Sequence, residues 1–350
     1  MAPFRLDDPR TGGHQVAMGK SGAEGPGSGG DDAGDSIIRA FAAGGTVRVV
    51  AVVSTELVAE VAHRHGARGL STIAMGRAAS AGLLLATLTK GDERVTLQIL
   101  GSGPLGAITV DASAAGTARV FAGRHRAVVG ALTRGATGDR ADVSAAVGTT
   151  GLVSVVRDLD GANRFSGQTP MVDGQIDTDV ERYLTHSEQI DSALGCETLL
   201  DEAGGILTSV GILVQTLPGS EGAAVVAATR NRLRAGVLGE WIRRRLGTGT
   251  GDGPLSRHVT PDDVIFAALD EDAASLAVLD RRPVLFFCPC SRDRAAATLA
   301  LLGESDLIEM IRDEGRAQVT CEFCRADYDF TDVNLEEIRR ALRREAVAPS

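Results

Sequence analysis

The most specific chemistry in the chain is carried by four cysteines near its end. Cys288 and Cys290 stand in Phe286-Phe287-Cys288-Pro289-Cys290-Ser291, and Cys321 and Cys324 in Cys321-Glu322-Phe323-Cys324. Four thiolates in two close pairs, supplied by two chain segments, match the tetrahedral, sulfur-rich coordination that zinc prefers. The second pair has knuckle spacing. The first, C-x-C around a proline, is rarer and therefore more diagnostic. Because the chain holds only five cysteines, this pattern is not a chance arrangement. Cys288, Cys290, Cys321 and Cys324 are the candidate metal ligands, for one zinc per chain. Cys196 lies apart in an apolar stretch and reads as a small buried hydrophobe.

The elements that must position these sulfurs fall in residues 282–350. Ser291 can cap a helix that ends at Gly303, and a short helix over 305–313 is stopped by Gly315. Residues 318–330 read as a hairpin carrying the second cysteine pair, and 334–344 as a charged terminal helix. A unit of this size has a marginal apolar core. Structural zinc, contributing on the order of 10–16 kcal/mol in small peptides, would make its folding depend on metal. Two readings follow. One is a static zinc ribbon. The other is a redox switch, since zinc keeps all four sulfurs in the oxidisable thiolate form and Arg292, Arg294 and Arg325 can offset their charge. Spacing alone leaves both open.

The rest of the chain bounds the function. At 350 residues two or three units are expected, and a hydrophobic content of 43% permits a sizeable core. Aromatics make up only 3%, so Val, Leu, Ile and Ala must fill it. A net charge of −10 opposes general affinity for nucleic acid or anionic membranes. No stretch approaches the roughly 18 apolar residues of a membrane span, and the N-terminus has no compact apolar signal segment. Cytoplasm is the expected location, where paired cysteines more often bind metal or sense oxidants than form permanent disulfides.

Residues 1–34 are glycine-rich and read as a disordered tail, in which His14 is inert. From Asp35 a core begins. Val47–Val53 is a β-branched strand, and Thr55 can cap a helix through His65. His63 and His65 are too closely spaced to share a helix face as metal ligands. A helix over 71–89 is apolar nearly all round and is expected at the centre of the core. Strands follow at 94–100, 107–112 and 118–122. Gly101-Ser102-Gly103-Pro104-Leu105-Gly106 matches G-x-G-x-x-G, but a strand, Ile108-Thr109-Val110, follows where a phosphate site needs a helix N-terminus. It is a hairpin turn. Further strands at 152–157, 163–168, 194–200 and 206–217, with a helix at 177–184, give an α+β core over 35–222. Residues 223–281 read as a helical connector broken by Gly247–Gly253. Its basic amphipathic helix (Leu233, Val237, Leu238, Trp241, Ile242, Leu246) is expected to pack on its own domain, and Thr260-Pro261-Asp262-Asp263 starts another helix.

The array from Phe287 to Ser291, followed by Cys321-Glu322-Phe323-Cys324 and Tyr328, resembles the 33-kDa chaperonin (heat-shock protein 33) family. Thr89-Lys90-Gly91-Asp92, Gly101–Leu105, Tyr183 with Ser187-Glu188-Gln189-Ile190, and Gly204-Gly205 leading to Val214–Gly219 look like that family's landmarks in its order. The likeness runs from about residue 35 to the end. It departs at Val120-Phe121, where the family has glycine-tyrosine, and in the extra N-terminal tail. The resemblance implies a non-enzymatic, ATP-independent holdase chaperone, inactive while reduced and zinc-bound. Oxidation would form disulfides Cys288–Cys290 and Cys321–Cys324 and release zinc. The connector would then unfold, and a homodimer would bind unfolded client proteins. Two alternatives are weaker. A static zinc-ribbon interaction module for nucleic acid or protein assembly lacks a basic, aromatic surface. A thiol-disulfide oxidoreductase would want Cys321 and Cys324 at a helix N-terminus, not in a hairpin.

Overall fold

The computed structural model describes residues 34–90, 93–124, 140–159, 163–247 and 258–347. The predicted tail, apart from Gly34, and the glycine break from 248 to 253 lie outside these residues. The chain forms two compact units, one ending at Phe287 and the other beginning at Cys288. In order, the first holds strands Ser36–Ala42 (β1) and Val47–Val53 (β2), helices Thr55–His65 (α1) and Leu70–Ala86 (α2), and strands Arg94–Gly101 (β3), Ile108–Ser113 (β4) and Thr117–Ala122 (β5). There follow Ser144–Val147 (α3), Gly151–Leu159 (β6), Asn163–Pro170 (β7), Asp177–Ser187 (α4), Ser192–Leu200 (β8) and Ile206–Thr216 (β9). Helices Ala223–Arg234 (α5), Val237–Arg245 (α6) and Pro261–Leu269 (α7) lead to strands Ala277–Pro283 (β10) and Leu285–Phe286 (β11). The class is α+β, as the irregular strand and helix pattern indicates.

Two sheets sandwich one buried helix. The first sheet runs β10-β1-β2-β9-β8 and the second β11-β5-β4-β3-β6-β7. Every residue of α2 is buried, as its all-round apolar sequence requires. Both sheets approach it closely, and glycine makes that possible. A Cβ on Gly76 would lie 2.4 Å from Thr198 Oγ1 of β8, and one on Gly82 would lie 2.5 Å from Val110 Cγ1 of β4. At the N-terminus of α1, Thr55 does not act as the cap. The carboxylate of Asp35, far away in sequence, accepts from Leu57 N at 2.8 Å instead.

The apolar run Val49–Val53 of β2 is explained by burial on both faces. Val50 and Val52 face α1 and α2. Val47, Val49, Ala51 and Val53 point to the other side, with Ile38, Val210, Ile212 and Val214, and are covered by Val226 of α5, Leu238 and Ile242 of α6, and Val264 and Ile265 of α7. The helices expected as a connector are therefore the lid of a sheet face. Their start signals hold for α7, where Thr260 and Asp263 form a reciprocal capping box behind Pro261. The single basic helix is in fact two, broken at Gly236, whose φ of 80° suits glycine. Its arginines are not merely solvated. Arg230 and Arg234 hold Glu181 of α4 at 2.9 and 3.0 Å.

Strands β1 and β10 escape sequence reading. Residues 277–281, expected as helical connector, instead pair antiparallel with β1, in register from Ser36↔Pro283 to Phe41↔Ala277 with one bulge. The exposed pattern of β10 hides its strand character, because only pairing, not burial, fixes it. β11 then pairs parallel with β5 through Leu285↔Thr117 and Phe286↔Ala118, and the Arg64 guanidinium lies 4.9 Å from the Phe286 ring centre.

A buried ionic cluster ties α2 to β8. Arg77, fully inaccessible, donates to Glu197 Oε2 at 3.2 Å and to Gln175 Oε1 at 3.2 Å. Arg140 donates to Glu197, Asp177 and the Cys196 carbonyl. The two guanidiniums outweigh burial and hold the Glu197 carboxyl below its usual range. Cys196 itself is fully buried, as expected, with its thiol pushed up by burial. Two outcomes follow from this packing. Gly82→Leu forces a side chain into Val110 and should lower stability by about 1–3 kcal/mol or more, read by denaturant melts of the core. Glu197→Gln leaves a buried guanidinium excess and should cost about 3–5 kcal/mol; a loss well under 1 kcal/mol would mean that the cluster is not balanced as described.

Candidate metal centre

The second unit holds helices Arg292–Ala300 (α8) and Glu304–Asp313 (α9), the hairpin of Arg316–Thr320 (β12) and Asp327–Thr331 (β13), and helix Asp332–Val347 (α10). Its apolar core is small: Ala295, Ala296 and Leu299 of α8, Leu307 of α9, Phe330 of β13, and Leu335 and Ile338 of α10. Ion pairs supplement it. Arg339 of α10 reaches Glu304 of α9 at 2.8 Å, and the Arg292 guanidinium lies 4.5 Å from the Phe330 ring centre.

Each cysteine pair is presented by a local device. Ser291 caps α8 by accepting from Arg294 N at 3.2 Å, as its sequence position predicts, so the chain enters the helix directly from Cys290. In the hairpin, strand register runs from Arg316↔Thr331 to Thr320↔Asp327. Beyond it, Cys321 N donates to Ala326 O and Arg325 N to Cys321 O, both at 2.9 Å, closing a turn with both sulfurs at its tip. Arg325 sits there at φ 60°, a left-handed conformation that glycine would adopt more cheaply.

These devices converge. Cys288, Cys290, Cys321 and Cys324 have sulfurs all within 4.8 Å of one another. Across the segments, Cys288 Sγ lies 3.7 Å from Cys321 Sγ, and Cys290 Sγ lies 3.2 Å from Cys324 Sγ. A tetrahedron with sulfur arms of about 2.3 Å has edges of about 3.8 Å, so the donor set fits one thiophilic cation. The electrostatics agree. The Cys288 sulfur, foremost, pushes the Cys321 and Cys324 thiols up, the direction expected of crowded sulfurs with no cation between them. All four residues singled out from the sequence are thus brought together, and Cys196 belongs to the other unit.

Two of the three arginines expected to offset the sulfur charge have other partners. Arg292 is committed to the Phe330 ring and to Asn334 Oδ1 at 3.0 Å, and Arg325 pairs with Glu322 at 3.2 Å. One group that does reach a sulfur is Tyr328, whose hydroxyl donates to Cys290 Sγ at 3.2 Å. Burial and the Cys290 sulfur both push this phenol up, which keeps it protonated and donating. In the sequence Tyr328 stands out only as a family landmark. Strand alternation, which places it on the same face as Phe330, was the available signal.

Comparison with known proteins agrees with this geometry. The family model described as Hsp33 protein matches residues 35–331. The chain is 32% identical over 310 residues to the 33 kDa chaperonin of Bacillus subtilis (strain 168), covering 89% of this chain and all 100% of the relative. It is 33% identical over 304 residues to the 33 kDa chaperonin of Listeria welshimeri, covering 87% and 98%. In structure it resembles the 33 kDa chaperonin (heat shock protein 33 homolog) of Thermotoga maritima with a TM-score of 0.70 and 26% identity, over 90% of this chain and 99% of that one. These relatives are named as chaperonins, not as enzymes. With its cysteine cluster and its two-sheet core, the chain belongs to the Hsp33 family.

Proposed function

We propose that the protein is a redox-regulated, ATP-independent holdase chaperone, held inactive while its four cysteines are reduced on one zinc ion. Residues 35–222 are the chaperone core, 223–281 the linker, and 282–350 the zinc-binding redox-switch domain. The observation that carries this reading is the convergence of Cys288, Cys290, Cys321 and Cys324 in a unit whose own apolar core is a handful of side chains. Zinc, when bound, keeps the sulfurs deprotonated and joins the 288–290 segment to the hairpin. Cys321 and Cys324 lie at a hairpin tip and Cys288 and Cys290 before a helix, so a shared cation would cross-link two segments otherwise joined by the Tyr328–Cys290 hydrogen bond, the Arg292 contacts and the small core.

Oxidation removes that bond. Each cysteine pair gives up two electrons to one peroxide, two thiolates and two protons yielding one disulfide and two waters. Cys288–Cys290 and Cys321–Cys324 are the pairings expected once the segments part, because each then has its own partner close in sequence. The second unit loses its largest source of folding energy, and the chain that leads into it, from α5 to β11, is released. The helices α5 to α7 cover an apolar sheet face lined by Val47, Val49, Val210, Ile212 and Val214. Uncovered, that face and the freed linker supply the surface on which unfolding clients, and a second copy of the chain, would dock. The setting is the cytoplasm under oxidative stress. No helix among the described residues is long and apolar enough to cross a membrane.

The test is a count of zinc and free thiols before and after peroxide at raised temperature, alongside light scattering of an unfolding client. About one zinc per reduced chain should be released as four thiols are consumed, together with the gain of aggregation suppression. Zinc retained after oxidation, or equal activity in the reduced form, contradicts the proposal. Cys290→Ser should weaken metal retention by about 10-fold or more and leave the linker sensitive to protease without oxidant. Undiminished zinc and full protease resistance in that variant count against it.

A further inference from the structure

We propose that Tyr328 is a positioning residue that guards Cys290 against oxidants and so sets how readily the four-cysteine centre opens. The proposal deepens the reading of the site as a redox switch and rests on it for its biological meaning. The Tyr328 hydroxyl lies 3.2 Å from Cys290 Sγ and donates to it. The ring is not free to choose this position. Tyr328 sits opposite Val319 in the β12–β13 register and packs against the small core, next but one to the fully buried Phe330. Phe330 in turn is braced by Arg292, the second residue beyond Cys290. One strand face therefore fixes the hydroxyl, while the capped start of α8 fixes the sulfur.

A hydrogen bond into a metal-bound thiolate withdraws electron density from the sulfur lone pair, and that lone pair is what attacks an oxidant. When Cys290 reacts with peroxide, sulfur bonds to one oxygen, the O–O bond breaks, and a proton makes the departing hydroxide into water, leaving a sulfenic acid. For this the sulfur must give up the electron density that the Tyr328 hydroxyl shares. Removing the hydroxyl while keeping the ring leaves packing intact and the sulfur more nucleophilic.

The experiment compares the full-length, zinc-loaded chain with Tyr328→Phe. Both are exposed separately to limiting peroxide and to iodoacetamide, and modification of each cysteine is followed by peptide mass spectrometry. In Tyr328→Phe, Cys290 should be modified about 10-fold faster by both reagents, with Cys321 and Cys324 changed much less and one zinc still bound at the start. Equal Cys290 rates in the two proteins overturn the proposal. So does uniform acceleration of all four cysteines, or loss of zinc before any reagent is added, since either makes the hydroxyl a structural prop. The iodoacetamide arm keeps this result separate from the switch reading: that reading fails if oxidised wild-type protein gains no client binding, whatever the ratio of Cys290 rates.

Discussion

Four sulfurs within 4.8 Å of one another form the constraint on which the second unit depends. As thiolates they would repel one another, and a cation among them would offset that repulsion. Every local device in that unit serves it. The Ser291 cap starts α8 next to Cys290, the closed turn at Cys321–Ala326 sets two sulfurs at a hairpin tip, and Tyr328 completes the environment of one of them. Its apolar core is small and is supplemented by ion pairs such as Arg339–Glu304.

The first unit rests on a different principle. Its sheets are held by close packing on α2, where Gly76 and Gly82 admit Thr198 and Val110 to distances that any side chain would block. Arg77 and Glu197 fix the orientation of that helix through a buried ion pair. By contrast, the second face of the five-stranded sheet is covered by three short helices, α5 to α7, whose hold is a row of aliphatic side chains together with partly exposed arginine pairs such as Arg232–Asp270. The five-stranded sheet is thus held from both sides, by α2 on one face and by α5 to α7 on the other.

Much of this was legible in the sequence because it rests on local signals. The β-branched run of β2, the all-round apolar α2, the Thr260–Asp263 capping box and the spacing of the four cysteines each state their own structure. What could not be read depends on partners distant in the chain. β10 is mostly exposed and becomes a strand only by pairing with β1, more than two hundred residues earlier. Asp35, not Thr55, caps α1 from another element. Arg292 is near the cysteines in sequence yet is drawn to Phe330, whereas Tyr328 reaches Cys290 because hairpin register places it there. At the site, the four cysteines that converge were local and legible; the contact between Tyr328 and Cys290 was not.

We propose that loss of a cation from the four sulfurs releases α5 to α7 from the sheet without dismantling the core around α2. Hydrogen exchange read by mass spectrometry, on reduced zinc-bound protein and on the same protein after oxidation and zinc release, tests it directly. Peptides covering 223–287 and 288–347 should lose protection, while those covering α2 and the β3–β6 sheet keep theirs. Unchanged protection across 223–287 after complete zinc release would contradict it.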